Sequence, residues 1–212
     1  MSENQFIYLP GWLNSAENFR PVATLVGGDF KLLDLPVDMM RTVPEMADWV
    51  AEQITNPVWL VGHSFGGKIA MAVAARHPDK ICGIFVVAGS NRGKFIWRLL
   101  RPAIWMAKRI GVSGRRFRTA DYENSSPVMR KIMTDTLRFN IMSLAKQVKC
   151  AATFIYGQTD TVTQSALGRK LARASGGKFY ELAGFNHNTI ISDGAYQVSA
   201  IIKSIAKDGA NV

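Results

Sequence analysis

One stretch, Val58 to Ala75, limits what this chain can become more than any other. Val58-Trp59-Leu60-Val61 is short and apolar, as a buried strand is, and Lys68-Ile69-Ala70-Met71-Ala72-Val73-Ala74-Ala75 is an alanine-rich helical run. Between them stands Gly62-x-Ser64-x-Gly66, the G-x-S-x-G pattern of a strand that turns into a helix over a single serine. A turn that sharp strains the serine and crowds its neighbours. Glycines two residues before and two after let the backbones pass closely. Ser64 is thereby lifted clear of the sheet at a helix N-terminus, where the dipole and free N–H groups favour developing negative charge.

The chain has 212 residues and is 48% hydrophobic, enough for one domain with a full core. No stretch approaches the roughly 20 apolar residues of a membrane span. Met1-Ser2-Glu3-Asn4-Gln5 shows no signal peptide, so a cytoplasmic protein is expected. Cys82 and Cys150 are too few for a disulfide framework and are expected as buried free thiols. The net charge of +10 is concentrated. Residues 91–149 hold 14 Lys and Arg against 3 Asp and Glu, whereas the remainder holds 12 against 13. A charge confined to one segment points to a partner or surface of that segment.

Strands are expected at Phe6–Gly11, Phe30–Pro36, Val58–Gly62, Ile81–Val87, Ala151–Tyr156 and Phe179–Leu182. Helices fall between them: one within 15–26, Val43–Ile54 behind a Thr42/Glu45 capping box, one from the elbow to His77, Gln164–Ala174, and Thr189 to Lys207. Gly27-Gly28 reads as a plain turn. Near-continuous apolar strands alternating with helices mean a parallel sheet covered on both faces: a three-layer α/β fold with about six strands. The core is expected to comprise residues 1–90 and 150–212. Residues 91–149 interrupt the alternation as a basic helical cap insertion. Lys94, Arg98, Arg101, Lys108 and Arg109 share one side of its first helix, with Phe95, Leu99, Leu100, Ala103, Met106 and Ile110 on the other. Pro102 kinks it. A second helix is expected from Pro127 to about Leu144.

Asp160 lies just past the strand ending at Tyr156, and His187 just past the strand ending at Leu182. Each alone reads as a cap or loop residue. Together, the order Ser64, Asp160, His187 is that of an elbow-type triad, and all three fall at one sheet edge. His187 would take the serine proton, and Asp160 would orient and stabilise the resulting imidazolium. The oxyanion donors are expected to be the backbone N–H groups of Phe65 and Trp12. His63 is expected to point away from the site and His77 to cap a helix. No set of His, Cys and carboxylates has metal-ligand spacing, so neither metal nor cofactor is expected.

With these residues in order, the chain resembles the α/β-hydrolase superfamily. Leu9-Pro10-Gly11-Trp12, Gly62-His63-Ser64-Phe65-Gly66-Gly67, His77-Pro78, Tyr156-Gly157-Gln158-Thr159-Asp160 and Gly184-Phe185-Asn186-His187 are similar to its landmarks. The short start and small cap resemble carboxylesterases such as the pimeloyl-acyl-carrier-protein methyl esterases. Pro10-Gly11 stands where the family has His-Gly, and Gln164 stands where it has proline. The N-terminal hairpin of larger members is missing, which implies six strands.

The residues and the resemblance imply a serine hydrolase acting on a carboxylic ester or thioester through an acyl-enzyme. The alternatives are acyl transfer or carbon–carbon bond hydrolysis at the same site, or a non-catalytic ligand receptor or partner-binding protein of this fold. The basic cap reads as a solvated face, a dock for an acidic acyl carrier protein, or, with Trp97 and Trp105 beside it, a seat on an anionic lipid surface. No nucleic-acid recognition motif is present.

Overall fold

The computed structural model describes residues 5–39, 42–89, 132 and 139–209. The cap helix at Phe95–Ile110 and most of the one from Pro127 lie outside the described residues. Six parallel strands form one sheet: β1 (Gln5–Leu9), β2 (Asp29–Leu32), β3 (Val58–His63), β4 (Ile81–Val87), β5 (Ala151–Gly157) and β6 (Lys178–Leu182). Their order across the sheet is β2-β1-β3-β4-β5-β6. Among the described residues the α-helices are α1 (Arg20–Val26), α2 (Val43–Glu52), α3 (Phe65–Arg76), α4 (Ile141–Ala145), α5 (Ser165–Ser175) and α6 (Ala195–Gly209).

Side chains alternate across a strand, and here each set meets a different helical layer. Ile7, Leu9, Val58, Leu60, Ile84, Val86, Phe154 and Tyr156 join the core under α2, α3, α4 and α5. Phe6, Tyr8, Trp59, Val61, Phe85, Val87 and Ile155 join the core under α1 and α6. Because both faces are buried, the central strands read as unbroken apolar runs. β2 lies at the edge and alternates between exposed and half-buried.

Strand order reverses between β1 and β3: the chain leaves β1 for β2 on one side and returns to β3 on the other. In open α/β sheets, ligand crevices form outside the carboxyl ends of the strands at this switch. The loop after β1 and the elbow after β3 therefore face each other across the switch point.

Several boundaries differ from the sequence expectation, each for a local reason. β2 stops at Leu32 because Asp34 turns its Oδ1 to accept the Ala16 N–H at 2.6 Å. The last helix starts at Ala195 rather than Thr189. Asn186 Oδ1 accepts the N–H groups of Asn188 and Thr189, both at 3.0 Å, and Thr189 Oγ1 accepts the Asn186 N–H at 2.9 Å. These side chains compete with the helix ladder for backbone groups. The helix expected to run through Leu144 is instead broken before Ile141, where Asn140 caps α4 through the Met142 N–H. Cys82 is exposed and Cys150 half-buried, against the expectation of two buried thiols, because both lie at the open, N-terminal edge of the sheet. Thr42 and Glu45 form the expected capping box on α2.

Candidate active site

Ser64 adopts φ 51° and ψ −106°, a left-handed backbone that side chains other than glycine rarely take. The flanking glycines show why it holds. A Cβ on Gly62 would come within 2.4 Å of the Gly66 backbone, and one on Gly66 within 2.1 Å of Leu9 O. The elbow is thus locked against its own helix and against the end of β1. Gly11 lies beside it: a Cβ there would meet Ser64 Cβ at 3.6 Å.

The three residues expected to converge do so. Ser64 Oγ is 3.0 Å from His187 Nε2, and His187 Nδ1 is 2.8 Å from Asp160 Oδ2. A carboxylate only accepts, so Nδ1 carries the imidazole proton and bare Nε2 accepts the Ser64 hydroxyl. The Asp160 side chain is fully covered, and that of His187 is 14% exposed.

Asp160 is held by groups that the sequence reading did not single out. Its Oδ1 accepts the N–H groups of Val162 and Thr163, both at 2.7 Å, and Oδ2 lies 2.7 Å from Thr163 Oγ1. The same hydroxyl is 3.1 Å from His187 Nδ1 and 3.1 Å from Ala88 O. Burial alone would raise the Asp160 pKa. The hydrogen bonds from His187, the Thr163 hydroxyl and the Thr163 N–H outweigh it, so the carboxyl sits below its usual range. The available signal was Asp160-x-x-Thr163, the spacing at which a side-chain oxygen closes a local turn.

Phe65 opens α3, so its N–H has no acceptor one turn earlier in that helix. Trp12 follows Gly11 in the turn closed by the Asn14 N–H on Gly11 O, and its indole stands edge-on to the Phe65 ring at 5.1 Å. Phe65 follows Ser64 directly in the chain, and Trp12 packs on the Phe65 ring.

His63 does not point away from the site. Its Nε2 donates to the His187 carbonyl at 2.8 Å, and the two imidazole rings are 4.9 Å apart. Burial is the main force pulling its pKa down to about 4, and the neighbouring His187 acts in the same direction. The alternation that sends Trp59 and Val61 to the α1/α6 layer sends His63 there too, and the loop entering α6 carries His187 onto it. His77 is half-exposed and bonds Asp48 at 2.7 Å, which also pairs with Arg76. Lys68 is wholly buried within α3, and burial pulls its pKa down to about 8.

The alpha/beta hydrolase fold family matches residues 4–109, half of the chain. The chain belongs to that family. Within it, this hydrolase-fold chain is similar to the pimeloyl-[acyl-carrier protein] methyl ester esterase of Neisseria meningitidis serogroup C. The two are 39% identical over 59 residues, 28% of this chain and 23% of that protein. The protein of the same name from Chromobacterium violaceum is 27% identical over 157 residues, 61% of this chain and 62% of that one. The chain thus spans less than two thirds of the length of these curated relatives. Among solved structures, an alpha/beta hydrolase enzyme from the Mar Chica lagoon metagenome superposes with a TM-score of 0.72 at 17% identity, covering 97% of this chain and 91% of that one. The enol-lactonase of Burkholderia xenovorans gives 0.72 at 17%, covering 96% and 91%. At that identity the likeness concerns the fold. Among the described residues, no helix is long and apolar enough to cross a membrane.

Proposed function

We propose that this chain is a serine hydrolase that cleaves a carboxylic ester or thioester through an acyl-enzyme on Ser64. The observation that carries the reading is the unbroken line from Ser64 Oγ to His187 Nε2 at 3.0 Å and from His187 Nδ1 to Asp160 Oδ2 at 2.8 Å. The names of the curated relatives, esterases all in the cases given, agree with it.

In this reading Ser64 Oγ attacks the acyl carbon while its proton passes to His187 Nε2. The imidazolium is stabilised by Asp160, whose lowered pKa keeps it ionised. The tetrahedral oxyanion lies against the N–H groups of Phe65 and Trp12, each donor contributing about 2.7–4 kcal/mol in the transition state. The bond to the alcohol or thiol then breaks, and the leaving group takes the proton from His187. Water attacks the acyl-enzyme, gives its proton to His187 and releases the acid, restoring Ser64.

The basic segment at 91–149 suggests the partner. With 14 cationic residues against 3 anionic, it suits an acyl group delivered on an acidic carrier protein, the kind of substrate named for the relatives. On this view kcat/KM for a carrier-linked ester falls steeply between low and high salt, while that for a small neutral ester stays level. Anionic vesicles replacing the carrier as the salt-sensitive partner would point to a lipid surface instead.

Intact-mass labelling with a fluorophosphonate tests the chemistry. Wild type should gain one adduct, Ser64→Ala none, and His187→Ala should label slowly. Folded wild type that takes no adduct and turns over no p-nitrophenyl ester would sink the reading and leave a ligand-binding protein of the same fold.

A further inference from the structure

His63 is a buried titratable side chain at the floor of the site that has no part in the steps above. It is 2% exposed and ends β3, one residue before Ser64. A carbonyl oxygen only accepts, so the 2.8 Å contact with His187 O puts the ring proton of His63 on Nε2. Nδ1 is then bare, and it has no hydrogen-bond partner among the described residues. It faces the loop after β1: a Cβ on Gly11 would lie 3.3 Å from it and 3.0 Å from Asn14 Nδ2. Phe19 closes the remaining side edge-on, with ring centres 6.4 Å apart. One imidazole therefore touches the loop that carries the base and the loop that carries Trp12, and adjoins the nucleophile in the chain.

The His187 loop needs such an anchor. The Thr159 N–H holds Phe185 O at 3.1 Å, but residues 187–194 are turns rather than helix or strand, so past Phe185 no ladder fixes the height of the His187 backbone. The Asn186–Thr189 bonds shape the loop internally but do not tie it to the sheet. The His63 Nε2–H does tie it, from the rigid end of a central strand. A side chain here also has to stay uncharged. His187 becomes a cation when it takes the serine proton, and a second cation 4.9 Å away would oppose that step.

We propose that His63 is a positioning residue: its Nε2–H, bonded to the His187 carbonyl, sets the placement of the His187 imidazole against Ser64, while its neutral ring supports that imidazole without competing charge. The inference rests on the reading of Ser64 and His187 as nucleophile and base.

The test compares wild type with His63→Gln and His63→Leu on p-nitrophenyl acetate, alongside thermal melts and histidine ring-nitrogen NMR of the wild type. Glutamine places an amide N–H the same number of bonds from Cβ as Nε2, whereas leucine removes the donor. The Leu variant should lose about 10²-fold in kcat with KM within about 2-fold, the signature of a misplaced base rather than a damaged binding site. The Gln variant should return to within about 5-fold of wild type. The NMR spectrum should show His63 protonated on Nε2 alone at neutral pH. Wild-type kcat in a folded Leu variant, or a folded Gln variant no better than Leu, would overturn the proposal while leaving the triad reading intact. If the Leu variant does not fold, a proton on Nδ1 of wild-type His63, or a Gln variant that stays folded but inactive, overturns it. A wild type with no turnover fails earlier, at the reading of the site.

Discussion

The two sides of the site are held in different ways. On the Ser64 side, position comes from backbone against backbone: Gly62 packs on Gly66, and Gly66 on the carbonyl of Leu9. On the Asp160 and His187 side, Gly157 packs on the Phe185 carbonyl, and beyond it position comes from side-chain hydrogen bonds: Thr163 on Asp160, Asn186 with Thr189, and His63 on His187. Close packing has no partial state, because a Cβ either fits or displaces the chain. Hydrogen bonds each contribute roughly 0.5–1.5 kcal/mol and are lost one at a time. The Ser64 side should therefore fail abruptly and the Asp160–His187 side by degrees.

The largest break is expected at Gly66→Ala. The new methyl would meet Leu9 O at 2.1 Å and Pro10 O at 2.6 Å, backbone atoms with no flexible side chain to yield. A loss of more than about 3 kcal/mol is expected, seen as a fall in Tm of about 6–12 °C. A melt within 2 °C of wild type would mean that the elbow can relax.

Next is the response of stability to acid. His63 in the folded protein stays neutral down to about pH 4, whereas its usual value is 6.5. Between these, the unfolded chain binds the extra proton, so stability falls as pH drops from about 6.5 to about 4 and is indifferent to this group outside that window. The whole effect is about 3 kcal/mol. The ionisable groups acting on His63 are His187, which lowers its pKa, and Asp160, which raises it. Asp160 loses its own stabilisation over the acid range too, but His63→Gln leaves that part in place. Urea midpoints at pH 7 and pH 4.5 should therefore converge in the Gln variant. Equal pH slopes in both proteins would remove buried His63 as the cause.

The smallest effect is expected at Thr163→Val, which keeps shape but removes the hydroxyl between Asp160 Oδ2, His187 Nδ1 and Ala88 O. The Val162 and Thr163 N–H groups still hold Asp160 Oδ1. A fall of about 10-fold in kcat is expected, from one lost hydrogen bond of about 1.4 kcal/mol, with Thr163→Ser near wild type. A drop beyond 10³-fold would make this side as brittle as the elbow.

This contrast also explains what was legible in advance. Backbone crowding leaves a mark in sequence, since glycine is the one residue that satisfies it, and Gly62-x-Ser64-x-Gly66 announced the elbow at the right place. Strands β1, β3, β4 and β5 were legible because burial on both faces makes their runs continuous. Thr163 and Asn186 were not, because a threonine or asparagine in a loop meets its partner only after the loop has closed. For the same reason Thr189 read as a helix start, although its hydroxyl is used by Asn186 and the helix begins at Ala195.

The chain order of Ser64, Asp160 and His187, the parallel α/β class and the strained serine follow from sequence alone, because local sterics and apolar periodicity act over a few residues. Which face of β3 receives the loop after β6 is set by the order of strands across the sheet and the packing of α6, at a separation of more than 120 residues. That packing turned His63 from a residue beside Ser64 in the chain into one that also bonds the His187 carbonyl.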